Sequence, residues 1–360
     1  MKVAVFSPTY FHGNSFIGGA ERYVEELSQA LSSKAEVTLI SFGTKREKHP
    51  QESFRKEIYP VWWFWKKNRL NPFNLLSLLE VRKADVVYVH GVSTFMSDLV
   101  CLTASLLGKP VFVMDHGGGG NLVLSNKLPV FDHYTGAIAQ STFARNFLPP
   151  TLQDRAHIIK GGINLSKFTL KMKESEKKRI LFVGRLLPHK GVDQLIRACK
   201  LLPSKDWHLV IIGRPYNERY WQDLQKLSEG ASIEFVHSAD DNRLIEEYQK
   251  ASVLVLPSTQ RDCYGNQSNA PEFMGFVLLE AQACGTPVIC SDAGAMVEFI
   301  DPEKTGWVVP QSDPPALART LETAFQLQEK EGARLPHTCR EWVKHFSWDR
   351  VTDQLLNVFN

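Results

Sequence analysis

Glu272-Phe273-Met274-Gly275-Phe276-Val277-Leu278-Leu279-Glu280-Ala281-Gln282-Ala283-Cys284-Gly285-Thr286-Pro287-Val288-Ile289 carries two glutamates with seven residues between them, on an apolar run that leads into a β-rich segment, Val288 to Ser291. A helix between the carboxylates, rising 1.5 Å per residue, sets them up to ~12 Å apart along its axis and within ~80° of one face. That spacing suits contacts at opposite ends of an elongated ligand.

Working outward, β-rich runs recur at Ile180 to Val183, His208 to Ile212, Ile233 to Val236 and Val253 to Leu256, with helical patterns between them. The first half repeats the alternation: Val3 to Phe6, Val37 to Ser41, Val86 to Val89, Val111 to Met114 and Ala137 to Ala139. Alternation of this kind predicts parallel, doubly wound sheets. Between the first two strands Ala20, Val24, Leu27 and Leu31 recur at helical spacing, so one face of that helix packs on the sheet. A charged stretch, Lys171 to Arg179, separates the two series, and the last segment, Pro336 through Trp348 to Phe359, reads as amphipathic and helical.

A chain of 360 residues exceeds one ordinary core and fits two domains, with a cleft expected between them. Its 43% hydrophobic and 22% charged residues are those of a globular protein. Six cysteines without a Cys-x-x-Cys pair indicate neither a zinc site nor a disulfide framework, and predict a reducing cytoplasm. The opening apolar run is too brief for a signal peptide, and no run approaches the ~20 residues of a membrane-spanning helix. Residues 1 to 165 hold 18 Lys and Arg against 13 Asp and Glu. Lys45 to Arg69, with eight basic and three acidic residues, accounts for that excess, so a nucleic-acid partner is not expected.

Three features point to phosphate. Gly18-Gly19 falls before the helix that follows the first strand, where free backbone N–H groups and the helix dipole attract an anion. The second series opens similarly, with Gly184-Arg185 and then Lys190-Gly191 leaving a strand's carboxyl end, where ligands of open α/β sheets bind. An Arg with a nearby Lys neutralises a diphosphate without metal. The chain contains no Asp-x-Asp, the usual sequence hint of a metal-held diphosphate, so the prediction is no metal and no other cofactor.

The Glu-x7-Glu stretch, with Leu256-Pro257-Ser258 before it, resembles the signature of the retaining glycosyltransferases of family 4 (glycosyl transferases group 1). Gly18-Gly19-Ala20-Glu21-Arg22, His116, Gly162-Ile163-Asn164 with Phe168, Gly184-Arg185 and Lys190-Gly191 extend the likeness in order over nearly the whole chain. The resemblance implies an α/β GT-B fold, two Rossmann-like domains facing across a cleft: an acceptor-side domain over 1–165, a donor-binding domain over 166–340, and a helix over 341–360 free to cross back. It implies that Arg185 and Lys190 hold the diphosphate of a nucleotide-sugar donor and that Glu280 accepts hydrogen bonds from its ribose. Glu272 then faces the donor sugar, the backbone N–H groups of Phe273, Met274 and Gly275 line the same pocket, and Gly19 approaches the distal phosphate. The family often has Gly-Phe-Gly after the first glutamate; Phe273-Met274-Gly275 replaces it, which leaves donor identity open.

Departure of a nucleoside diphosphate builds negative charge on the leaving oxygen, which Arg185 and Lys190 would stabilise. Retention ordinarily suggests a carboxylate nucleophile, whereas the resemblance implies front-face attack by the acceptor. His116, before Gly117 to Gly120, is expected to hydrogen-bond a sugar hydroxyl, and the glycines to allow a mobile, acceptor-facing loop. Trp62, Trp63, Trp65, Lys66, Lys67 and Arg69 mix aromatics with cations, as at an anionic membrane. They suggest peripheral docking at the inner face of the cell membrane, near a glycan or lipid-linked acceptor; the alternative is that the tryptophans pack inside the first domain or line a sugar-acceptor groove. A nucleotide-sugar epimerase and a catalytically silent glycan- or nucleotide-binding protein are the rival functions. A dinucleotide-dependent dehydrogenase is disfavoured, because no Gly-x-Gly-x-x-Gly follows a strand.

Overall fold

Val3, Ala4, Val5 and Phe6 are all buried, the mark of a strand covered on both faces. They lie in the centre of a sheet that organises the first part of the chain. The computed structural model describes residues 1–10, 19–49, 53–64, 71–92, 94–116, 124–171, 178–269 and 272–360. Gly18, Trp65, Lys66, Lys67, Arg69 and the run Gly117 to Gly120 lie outside the described residues. The chain divides into two compact units, Met1–Gly162 with Trp348–Asn360, and Ile163–Ser347.

The strands of the first unit are β1 (Lys2–Tyr10), β2 (Glu36–Gly43), β3 (Glu47–His49), β4 (Arg55–Pro60), β5 (Trp63–Phe64), β6 (Pro72–Phe73), β7 (Val86–His90), β8 (Val111–Met114), β9 (Gly136–Ala139) and β10 (Ala156–Ile158). Eight of them form one sheet in the order β10-β9-β8-β7-β1-β2-β4-β3, and β5 pairs with β6 in a separate ribbon. All pairings in the sheet are parallel except β3 on β4. The helix Gly19–Leu31 buries Tyr23, Val24, Leu27, Ser28 and Leu31, the face its spacing predicts.

Strands β3 and β4 escape the sequence reading because they are charged. Glu57 of β4 is 3% exposed and holds Arg46 and Arg55. Glu80, equally buried, takes Arg55 at 2.9 Å, Lys83 at 2.8 Å and the Tyr59 hydroxyl at 2.8 Å. Pairing of this kind lets carboxylates be buried without apolar periodicity.

The expected single helical stretch from Pro336 to Phe359 is broken. Helix Arg334–Val343 and a 3₁₀ turn, Lys344–Phe346, belong to the second unit; helix Trp348–Phe359 belongs to the first. Ser347, with extended backbone (φ −66°, ψ 151°), ends the run. Trp348 packs on Tyr23 at 4.9 Å and donates its indole N–H to Glu26, while Lys34 salt-bridges Asp349 and Asp353. Gly162, at φ +121°, sits under that indole, where a Cβ would come within 2.7 Å of it.

In the second unit β11 (Lys178–Val183), β12 (Trp207–Ile212), β13 (Ile233–Val236), β14 (Val253–Leu256), β15 (Val288–Ser291) and β16 (Gly306–Val309) form a wholly parallel sheet in the order β13-β12-β11-β14-β15-β16. Five of these strands are those expected; β16 was not foreseen. The jump from β13 back past β11 to β14 is the reversal of strand order that opens a ligand crevice at carboxyl strand ends.

Candidate functional site

Three segments of the second unit converge at that crevice. The first leaves β11. Gly184 and Gly213, at the ends of β11 and β12, approach so closely that a Cβ on Gly213 would lie 1.8 Å from the Gly184 carbonyl oxygen. Arg185 follows, exposed and 6.0 Å above the Tyr216 ring. The 3₁₀ turn Pro188–Lys190 then ends at Gly191, in left-handed conformation at φ +69°. A Cβ there would meet the Pro257 carbonyl oxygen at 2.0 Å, so only glycine lets the chain turn into helix Val192–Leu201 against the end of β14.

The second segment is Pro257-Ser258-Thr259, beyond β14. The third is Glu272-Phe273-Met274-Gly275. Here the structure corrects the helical spacing argument: the helix is Phe276–Ala283, capped by Gly275 at φ +88°, a conformation the right-handed helix excludes. Glu272 therefore precedes the helix in a turn. Its carbonyl accepts the Ala295 N–H at 3.0 Å, and Gly294 (φ +74°) leaves no room for a Cβ, which would fall 2.3 Å from that carbonyl oxygen.

These constraints join the side chains. The Lys190 ammonium salt-bridges Glu272 Oε1, which also accepts the Ser258 hydroxyl at 3.0 Å. The Lys190 and Glu272 side chains are 11% and 14% exposed. His189, between them and Arg185, reports the local field: burial lowers its pKa and the Lys190 and Arg185 charges lower it further, against Glu272 and Asp262. A partly desolvated Lys and an exposed Arg just before a helix N-terminus are groups that can bind an anion.

The other expected residues are placed less uniformly. Glu280 lies in the helix, 6% exposed, with the Tyr248 hydroxyl donating to Oε2 at 2.5 Å. Met274 is 3% exposed, while Phe273 is half-buried. Gly19 opens its helix with clear space where a Cβ would be.

In the first unit His116 follows β8, and both its ring nitrogens are engaged. Nε2 lies 2.9 Å from His90 Nδ1 and Nδ1 lies 2.9 Å from Gln140 Nε2. Burial pushes the His116 pKa down to about 4, and His90 is lowered well below the ordinary imidazole value by burial and by His116. His90, Gln140, Ser258 and Tyr248 have no place among the predicted site residues. The signal that finds the first three is position alone: each stands at or just past a strand's carboxyl end.

Two α/β units built on parallel sheets are the GT-B architecture. Solved structures share it: sucrose-phosphate synthase from Thermosynechococcus elongatus has a TM-score of 0.72 at 21% identity, covering 99% of this chain and 98% of that one. Anabaena HepE in complex with UDP has a TM-score of 0.76 at 15% identity, covering 99% of both. The family is set by sequence. The model described as Glycosyltransferase Family 4 matches residues 17–167, and that described as Glycosyl transferases group 1 matches residues 167–341. The chain belongs to the family 4, group 1 glycosyltransferases. An uncharacterized glycosyltransferase of Methanocaldococcus jannaschii is 30% identical over 225 residues, 58% of this chain and 55% of the relative. The D-inositol 3-phosphate glycosyltransferase of Jonesia denitrificans is 29% identical over 231 residues, 57% and 51% respectively. The matched stretch thus spans about half the length of these curated relatives.

Proposed function

We propose that the protein transfers a hexose-type sugar from a nucleoside-diphosphate sugar to a glycan, lipid-linked or small-molecule acceptor, with retention at the anomeric carbon and without a metal. The observation that carries this reading is the Lys190–Glu272–Ser258 cluster at carboxyl strand ends, next to Arg185. Arg185 and Lys190 bind the diphosphate and stabilise the charge that grows on the leaving oxygen. Glu272 meets the donor sugar, and the backbone N–H groups of Phe273, Met274 and Gly275 line the pocket. Glu280 takes the ribose, reoriented from or shared with Tyr248. A nucleotide donor agrees with HepE, whose solved complexes contain UDP and UDP-glucose.

Retention follows here by front-face attack. Glu272 is tied to a cation and a hydroxyl, which disfavours it as the free nucleophile of a double displacement. His116 contributes a hydrogen bond to a sugar hydroxyl.

The acceptor side is read from an exposed apolar patch. Trp62, Trp63, Leu75, Leu76 and Leu79 are 47–57% exposed, and just beyond Leu79 in sequence Arg82 and Lys83 are exposed cations, Lys83 paired with Glu80. Apolar clusters of this density mark interaction surfaces, and the mixture suits an anionic bilayer. The contact proposed is peripheral; no helix among the described residues is long and apolar enough to cross a membrane.

The test is a thermal-shift screen against nucleotide sugars, followed by transfer assays with the stabilising donor, with and without EDTA. A stabilising donor whose effect vanishes in Lys190→Ala supports the reading. Conversion of donor to an isomer without acceptor favours the epimerase, and binding without turnover favours the silent binder.

A further inference from the structure

Strands β7, β8 and β9 end side by side, and the residues beyond them form a hydrogen-bonded chain. Register pairs His90 with Met114 and Met114 with Ile138. His90, His116 and Gln140 therefore emerge at one edge of the sheet. The two imidazoles are stacked, with centroids 5.2 Å apart and planes at 14°, and Tyr23 lies edge-on to His116 at 5.3 Å. His90 and Gln140 are each 3% exposed, so neither is a loose surface side chain.

The contacts of the amide favour one arrangement of the ring protons. Gln140 Nε2 lies 2.9 Å from His116 Nδ1 and 3.4 Å from Met114 Sδ. A thioether sulfur only accepts, and an amide nitrogen only donates. The sulfur contact sets the orientation of the amide, since a flipped amide satisfies a protonated His116 Nδ1 equally well but turns its oxygen toward the Met114 thioether. His116 Nδ1 is then a lone-pair acceptor, and the ring proton sits on Nε2, donated to His90 Nδ1. His90 in turn keeps its proton on Nε2, which is buried and has no hydrogen-bond partner among the described residues, so this tautomer leaves one donor unpaired. The low pKa values of both rings agree with an uncharged chain at neutral pH.

We propose that Gln140, backed by His90, is a positioning residue that locks His116 in its Nε2-protonated tautomer, so that His116 serves sugar transfer as a hydrogen-bond donor and not as a base. This rests on the proposed glycosyl-transfer reading. A sugar hydroxyl oxygen shares the His116 Nε2 proton with His90 Nδ1 as a second acceptor. The tautomer is set at Nδ1, the ring nitrogen opposite the proposed donor, as orienting partners set it for other functional histidines.

The experiment combines ¹⁵N NMR of histidine-labelled full-length protein with steady-state kinetics on wild type, Gln140→Glu and Gln140→Met. In wild type, His116 Nδ1 is expected to resonate as a bare nitrogen and Nε2 as a protonated one. In Gln140→Glu the carboxylate draws the proton to Nδ1, and kcat is expected to fall at least about tenfold with donor KM within about threefold, consistent with loss of one transition-state hydrogen bond. Gln140→Met, which removes the amide without adding charge, should show mixed tautomers and a smaller fall in kcat. A wild-type His116 protonated on Nδ1, or an inverted tautomer in Gln140→Glu with kcat unchanged, overturns the proposal. Should wild type turn over no nucleotide sugar, the glycosyl-transfer reading fails, and the NMR still decides the tautomer.

Discussion

Lys190 and Glu272, 82 positions apart in sequence, form a salt bridge at the carboxyl ends of the second unit's strands. The cation assigned to the donor phosphate is thus already neutralised by the carboxylate assigned to the donor sugar. A diphosphate entering the site competes with Glu272 for Lys190. Breaking a half-desolvated pair by removing one partner leaves the other charge uncompensated, so the two single variants should behave differently.

Lys190→Ala removes the phosphate partner and strands Glu272 beside the anionic donor. Transfer should fall about 10²–10³-fold in kcat/KM, the size typical of one electrostatic contact to a developing oxyanion. Initial-rate kinetics with the donor found by screening checks this.

Glu272→Gln frees Lys190 of its competitor. The free nucleoside diphosphate should bind several-fold tighter than to wild type, while transfer drops at least about tenfold because the sugar loses its carboxylate. Titration calorimetry beside initial rates reads the two changes, which must run in opposite directions.

Gly191 has φ +69° and lies where a Cβ would collide with the Pro257 carbonyl oxygen. Gly191→Ala combines left-handed strain of about 1–3 kcal/mol with that collision. The second unit's unfolding midpoint should drop by several degrees, as scanning calorimetry would show.

The His116 pKa falls from 6.5 to about 4 on folding, through burial, and His90 falls too. Between pH 6.5 and 4 the unfolded chain binds protons that the native rings refuse, so stability is full above about 6.5 and declines as pH falls through that window. The His116→Gln variant should show a shallower decline in Tm between pH 6.5 and 4.5 than wild type.

The exposed patch makes a salt-dependent prediction. Wild type should co-sediment with vesicles containing anionic lipid at low salt and be released at high salt. Replacing Trp62, Trp63 and Leu76 together with serine should abolish co-sedimentation while leaving activity on a soluble acceptor in place. Wild type that stays in the supernatant at low salt removes the docking reading.

Much of the architecture was legible because buried parallel strands leave continuous apolar runs: Val86 to Val89 and Val253 to Leu256 could be read directly. Strand β4 could not, since Arg55, Lys56 and Glu57 satisfy themselves by ion pairing rather than by apolar alternation. The residues Arg185, Lys190 and Glu272 stood out through their strand-loop-helix context. Their mutual contact did not, because it depends on Gly191, Gly275 and Gly294 adopting left-handed conformations that bring distant turns together. Gln140 was hidden for another reason: its side chain acts on a histidine 24 residues away, reached only through sheet register.

The most direct measurement is a crystal structure of the protein soaked with UDP or GDP, whichever raises its melting temperature more. The account predicts the diphosphate between Arg185 and Lys190, with the Lys190–Glu272 salt bridge opened. A nucleotide bound elsewhere, with that salt bridge intact, would contradict it.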